Sequence, residues 1–181
     1  MNKSCIYIIA EVGLEHCGSG AKASQLTIQA KMAGADCVKR QWFYPDEVGQ
    51  VIWDKVKQFV LDKDSLYSHK EFCKNEEIDS LYSAFGMQSL QDLKEAGYDA
   101  VKIPSVCNEN REMLEYSADN FKTLFVSMGM VRGFSQTPIG TYRLLCTSAY
   151  PCPYDQVNLR CLKLCEKLTD DFYDGISDHT I

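Results

Sequence analysis

The sequence predicts an α/β fold of the (β/α)8 TIM-barrel type, incomplete, with about seven strands recognisable. Three observations predict it. A heptad is written twice, AGADCVK at 33–39 and AGYDAVK at 96–102; β-rich runs alternate with helical stretches; and polar residues stand at the C-terminal ends of most of those runs.

Taken in chain order, the β-rich runs fall at 5–13, 37–42, 80–85, 100–105, 123–129, 142–148 and 173–179. Helical stretches are expected at about 20–33, 53–75, 88–96, 109–118 and 155–168. Before each heptad, AKASQLTIQAKM and MQSLQDLKE carry apolar residues at near-helical spacing and stop at Gly34 or Gly97. Glycine suits the left-handed residue that ends a helix. After each glycine the chain turns β-rich, so the repeat is a helix-to-strand joint. The connection VRGFSQTPIGT after the fifth run is short and broken by glycine and proline, so a helix is not expected there. An open doubly wound sheet is the competing architecture. Its glycine-rich turn is poorly matched, because GLEHCGSG has the wrong spacing for GxGxxG.

Composition narrows the function classes. The 181 residues are 45% hydrophobic and 24% charged, with net charge −6, as expected of one soluble domain spanning 1–181. Lysine and arginine are scattered rather than gathered in a stripe, which argues against nucleic acid as a partner. Nine cysteines is an odd number with no CxxC, and MNKSCIYIIAEVG lacks a signal-peptide pattern. Reduced thiols in a cytoplasmic protein fit better. Cys161 and Cys165 have a spacing that could pair two ligands on one helix, weighed against ordinary half-buried cysteines. The longest apolar run, CIYIIA, is far below the roughly 20 residues of a membrane helix, so no membrane partner is expected.

Lys39 and Lys102 are 63 residues apart. Two βα units of roughly 30 residues each would put them on the second and fourth strands, which in a barrel feed the same interior layer. Two ammonium groups sharing a barrel mouth repel unless an anion lies between them, so a phosphate or carboxylate ligand is expected. The alternative is that both lysines merely extend from strand ends into solvent.

The segments IIAEVGLEHCG, AGADCVKRQWF, YSAF, YDAVKIPS, SMGM, LLCTSAYPCPYDQVNL and GISDHT, in that order, resemble the sialic acid (N-acetylneuraminate) synthase family across nearly the whole chain. The resemblance implies condensation of phosphoenolpyruvate (PEP) with the aldehyde of an N-acylmannosamine-like sugar, giving a nine-carbon 2-keto acid and phosphate. It also implies a divalent metal, Mn2+ or Mg2+, that polarises the aldehyde. Residue by residue, the implied PEP and phosphate cradle is Lys39, Ser83, Lys102, Ser105, Ser127 and Ser177. The motif SDHT makes His179 a metal ligand, with Asp178 placed to orient its ring. Glu11, Lys39, Lys102 and His179 are the implied catalytic set; His16, Gln41 and Thr147 are expected to position substrate.

The chain also departs from the family pattern. Where the family has PSGE, this sequence has Pro104, Ser105, Val106 and Cys107, which removes a carboxylate, and Glu109 is the nearest substitute. KFQ has become KRQ, placing Arg40 where an apolar residue normally packs; STGM has become SMGM; and the strand-six motif reads Leu145, Cys146, Thr147. The resemblance ends at the seventh strand. The expectation is therefore a barrel truncated before its eighth strand, with an incomplete metal site and without the C-terminal antifreeze-like domain that in the family reaches across a homodimer. Three readings stay open: a PEP-dependent synthase, a degenerate barrel that only binds anions, and a Schiff-base aldolase using Lys39 or Lys102.

Overall fold

The computed structural model describes residues 6–130, 137–163 and 172–180. The chain divides into two compact units, Met1–Asp99 and Ala100–Ile181. The first holds β1 (Ile9–Gly13), α1 (Gly20–Met32), β2 (Cys37–Trp42), α2 (Pro45–Val48), α3 (Gln50–Val56), α4 (Asp64–Asn75), β3 (Asp79–Ala84) and α5 (Met87–Glu95). In the second lie β4 (Ala100–Ile103), α6 (Arg111–Asn120), β5 (Thr123–Ser127), β6 (Tyr142–Cys146) and β7 (Gly175–Ser177). All seven expected strands form.

Within the first unit β1, β2 and β3 pair in parallel, with Glu11 opposite Lys39 and Gln41 opposite Ser83. The second unit pairs β4, β5, β6 and β7 in parallel, with Lys102 opposite Phe125, Ser127 opposite Leu144 and Cys146 opposite Ser177. Side chains alternate across a strand, so residues two apart share a face and register partners point the same way. One face of the first unit therefore carries Glu11, Lys39, Gln41 and Ser83. The corresponding face of the second carries Lys102, Ser127, Cys146 and Ser177.

The repeated heptad ends both helices in the same way. After α1, Gly34 takes φ +91° and the Ala35 N–H reaches back to the Ala30 carbonyl at 3.0 Å; after α5, Gly97 takes φ +77° and the Tyr98 N–H reaches Leu93 at 3.0 Å. These six-to-one bonds cap carbonyls that would otherwise be orphaned, and the glycine adopts the left-handed angle without a Cβ clash. The aspartate before the strand has its own task. Asp36 accepts the Ile8 N–H at 2.7 Å while its own N–H donates to the Ile8 carbonyl at 2.9 Å, pinning the start of β2 to the chain entering β1. Asp174 does the same for β7, accepting from Arg143 N–H at 2.7 Å and donating to its carbonyl at 2.8 Å.

The single helix expected at 53–75 is two helices. A short 3-10 turn, Lys57–Phe59, follows α3, Val60 is extended, and the Asp62 carboxylate accepts the Ser65 N–H at 3.0 Å to start α4 anew. Aspartate there competes for backbone donors and so favours a helix start over a helix interior. In the second unit Asn110 caps α6 by accepting the Met113 N–H at 3.2 Å. Of the helix expected at 155–168, the described residues form a 3-10 turn at Tyr154–Gln156 and a helical start only at 161–163; residues 164–168, the residues 131–136 of the short connection, Cys5 and Cys165 lie outside the described residues.

Packing between sheet and helices in the first unit is apolar at Val12, Val38, Cys73 and Ile78, covered by Ala10, Leu26 and Ala30. Burying each such aliphatic side chain contributes about 1.5–3 kcal/mol. Leu90 and Leu93 seal α5, while Met113 and Leu114 seal α6, all buried. No helix is long and apolar enough to cross a membrane among the described residues.

Candidate functional site

Each unit presents one cluster of polar side chains at the C-terminal ends of its strands. In the first, Lys39 is 7% exposed, donates to the Glu11 carboxylate across the β1–β2 register, and lies 3.4 Å from Ser83 Oγ on β3. Glu11 keeps about half its side chain open to solvent, so this is a half-desolvated ion pair at the lip of the strands. Gly13, at φ +48°, leaves space here: a Cβ would stand 3.2 Å from Glu11 Oε1 and 3.6 Å from Gln41 Nε2. Gln41 is thus brought to the same lip.

The second cluster is built around Lys102, also 7% exposed. Among the described residues no carboxylate forms an ion pair with it. Burial pushes its ammonium down to about 8, an effect partly offset by Cys146. On the neighbouring strand Ser127 is buried, and its hydroxyl has no hydrogen-bond partner. A buried hydroxyl left unpaired is costly unless something else completes it.

Cys146 stands between the remaining polar groups. Ser105 Oγ donates to its sulfur at 3.4 Å, and Ser148 Oγ and His179 Nδ1 lie 3.9 and 4.0 Å away. Burial pushes the thiol up, but the hydrogen bonds from His179 and Ser105 outweigh it and hold the group at about 7. Reciprocally, the Cys146 contact raises the His179 imidazole, against the opposing effect of burial. Gly129 makes room for this group: a Cβ there would fall 2.5 Å from Ser148 Oγ and 2.8 Å from Ser105 Oγ. The backbone around it is held by buried Asn108, whose amide donates to the carbonyls of Ser127 and Gly129, both at 2.9 Å.

The histidine ring is fixed by its backbone contact. Nδ1 donates to the Thr147 carbonyl at 3.0 Å, which leaves the Nε2 lone pair facing Ser177 Oγ at 3.5 Å, and the Tyr150 ring covers the imidazole at 4.1 Å between centroids. Asp178 does not orient the ring. Its carboxylate closes a local turn instead, accepting from Thr180 N–H at 3.1 Å and from Thr180 Oγ1 at 2.9 Å. Thr147 spends its hydroxyl on the Gln156 carbonyl at 2.9 Å, so its own contribution is to fix the loop after β6. Glu109 is exposed, on the turn before α6.

His16 sits apart from the strand-end clusters. It is 2% exposed, its Nδ1 accepts the Gly18 N–H at 3.2 Å, and its Nε2 lies 3.5 Å from Arg40, on the opposite face of β2 from Lys39. A cleft of about 540 Å3 in the second unit is lined by Tyr154, Asp155, Arg160, Ile176, Asp178 and Thr180. It shares none of the groups around Lys102 and lies on the face of β7 opposite Ser177.

A divalent ion requires several oxygen or nitrogen donors at one point. His179 offers one nitrogen beside one thiol, and no three His, Cys, Asp or Glu side chains stand together among the described residues. The described residues of this chain therefore do not by themselves fit a divalent-metal site. Sequence reasoning passed over Asn108, Gly129 and Cys146 as site residues. The available signal was parity: Cys146 falls on the face of β6 shared with Ser177 and leads directly into the Thr147–Ser148 strand end.

Comparison with known proteins follows the same lines. The NeuB family model matches residues 26–181. The N,N'-diacetyllegionaminic acid synthase of Legionella pneumophila is 29% identical over 97% of this chain and 58% of its own length. For the human N-acetylneuraminate-9-phosphate synthase the figures are 26%, 96% and 55%. The chain thus spans a little over half the length of these curated relatives. A solved N-acetylneuraminic acid synthetase from Leptospira borgpetersenii, in complex with citrate, superposes with a TM-score of 0.85 at 24% identity, covering 97% of this chain and 65% of that one. That likeness shows the fold, an incomplete (β/α)8 barrel in which the described residues form seven strands.

Proposed function

The chain belongs to the NeuB family, and from that premise we propose that it takes part in a PEP-dependent synthase reaction that makes a nonulosonic acid from an N-acylated amino sugar. The single observation that supports this reading best is Lys102, a buried ammonium with no carboxylate ion pair among the described residues, on the same face as the unpaired hydroxyl of Ser127. Such a group is completed by an anion. The ligand is read as phosphate or carboxylate because hydroxyl donors, not further cations, accompany it in the second unit: Ser127, Ser105 and Ser177.

The chemistry assigns a task to each group. Carbon C3 of PEP forms the new bond to the sugar aldehyde carbon, water adds at C2, and the C2–O bond to phosphate breaks, giving the 2-keto acid and inorganic phosphate. Lys102 and the serines hold the phosphoryl and carboxylate oxygens and stabilise charge as phosphate leaves. Lys39, tied to Glu11, offers a partly neutralised ammonium, and Glu11 is open enough to meet a sugar hydroxyl. His179, with Nε2 free to accept, is placed to receive or return a proton. The resemblance also implies a divalent ion, for which the described residues alone do not supply a ligand set. A cytoplasmic location and a homodimer are part of the same proposal.

The test is phosphate release from PEP by the purified chain with N-acetylmannosamine and with di-N-acetylated hexoses, with and without Mn2+. Release that depends on the sugar, together with a 2-keto acid by mass spectrometry, is the expected result. PEP binding without release from any sugar would count against turnover by this chain.

A further inference from the structure

Strand β2 is buried along both faces, yet it carries two adjacent cations, Lys39 and Arg40. Alternation sends Lys39 to Glu11 and Ser83. Arg40 is sent to the other side, under α4 and the β1–α1 loop. There it is 3% exposed, forms no ion pair with any carboxylate among the described residues, and its Nε has no hydrogen-bond partner. Its guanidinium carbon lies 5.5 Å from the centre of the Tyr82 ring, a contact that helps a cation but supplies no acceptor.

The neighbours do not neutralise it. His16 from the β1–α1 loop and His69 from α4 are both buried, and burial first, then Arg40, holds them down to about 4 and about 3, so both are neutral near pH 7. Lys22 on α1 adds positive charge toward His16. Burial keeps the Cys73 thiol on α4 and the Tyr82 phenol on β3 up at about 11 and about 12, and raises the Tyr98 phenol beyond its ordinary range, so none of the three is an anion. His69 is occupied by Tyr82 Oη at 3.1 Å and Cys73 Sγ at 3.3 Å.

The hydrogen-bond directions expose a missing acceptor. His16 Nδ1 accepts the Gly18 N–H, so the neutral imidazole carries its proton on Nε2. That N–H points at Arg40 Nη2, 3.5 Å away, which is itself a donor. Two donors therefore face each other beside an orphaned third, Arg40 Nε, among buried side chains, with a positive charge that no carboxylate among the described residues offsets.

We propose that Arg40 and His16 form a buried binding site for one small monovalent inorganic anion, of the halide class, behind the sheet and separate from the strand-end clusters. One anion accepts from Arg40 Nε, Arg40 Nη2 and His16 Nε2–H together and cancels the guanidinium charge.

Bromide is the probe that shows the site directly. Crystals of the whole chain grown in sodium bromide are expected to give an anomalous peak in hydrogen-bonding contact with Arg40 Nε and His16 Nε2. In solution, replacing gluconate by chloride at fixed ionic strength is expected to raise the melting temperature by about 5 °C. That rise should disappear in Arg40→Met and persist in Lys102→Met, which separates it from anion binding at the strand ends. A water molecule in place of the anomalous peak, or equal melting temperatures of the wild-type chain in the two salts, overturns the proposal. If Arg40→Met does not fold, the wild-type anomalous map decides.

Discussion

AGADCVK and AGYDAVK build the same local structure and deliver their lysines into opposite electrostatic surroundings. Both copies end a helix on a glycine with positive φ and bury a lysine to the same 7% exposure. Lys39 then finds Glu11 directly across the register, whereas Lys102 finds Phe125 there and, nearby, hydroxyls and a thiol. What this teaches is that a motif fixes where a charge is placed, and the neighbouring strand fixes whether that charge is already satisfied. A lysine paired to a carboxylate has little left for a ligand, while a buried one facing only hydroxyls and a thiol has more of its charge to offer.

The comparison is broken most directly by removing each lysine in turn. Lys102→Met is expected to weaken phosphate or PEP binding ~100-fold, and Lys39→Met only ~10-fold, because Glu11 already offsets Lys39. Isothermal titration calorimetry on both variants measures this, and equal losses would contradict the asymmetry. The pH dependence sharpens the same point. Burial lowers the Lys102 ammonium from 10.5 to about 8, so it is charged below that value and neutral above it. The Lys102 contribution to anion affinity is therefore complete well below pH 8 and falls as pH rises through it, toward about tenfold per unit; Lys102→Met should lose that fall and keep only the one that ionisation of Cys146 near 7 produces.

The glycines test the shared part of the two copies. Gly34→Ala and Gly97→Ala each force a Cβ onto a positive φ and are expected to cost about 1 kcal/mol in urea unfolding. At Gly97 the added Cβ would stand 2.7 Å from Lys70 Nζ, the far end of a flexible side chain that can move aside, so the two costs are expected to be close. Similar costs for the pair would confirm that the heptads are one structural device. The smallest effect is on the paired side. Glu11→Gln releases Lys39 from its partner and is expected to tighten phosphate binding about threefold, as fits a half-exposed ion pair. No change would mean that Lys39 was never restrained by Glu11.

Much of this was open to reading before any coordinates. All seven strands, the glycine stops of α1 and α5, and the placement of Lys39, Ser83, Lys102 and Ser127 near the ends of their strands follow from two-residue and 3.6-residue periodicities that local sequence carries. The break between α3 and α4 was missed because Asp62 reads as one more polar residue on a helix until its carboxylate is seen holding the Ser65 N–H. The engagement of Asp178 with Thr180, and of His16 with Gly18 and Arg40, was equally hidden: a polar side chain next to a site motif has several donors within reach, and sequence does not say which it takes.

By itself, then, the sequence determined the order of strands and helices, the left-handed turns, the family, and the two positions where ammonium groups enter the sheet. The tertiary structure alone decided which lysine is neutralised, that Cys146 mediates between Ser105 and His179, and that Arg40 is buried without a carboxylate partner among the described residues. The physical reason is range. Periodicity and turn chemistry act between residues a few positions apart, whereas charge compensation depends on groups 24, 28, 33 or 41 residues away in the chain, which meet only through strand register and packing.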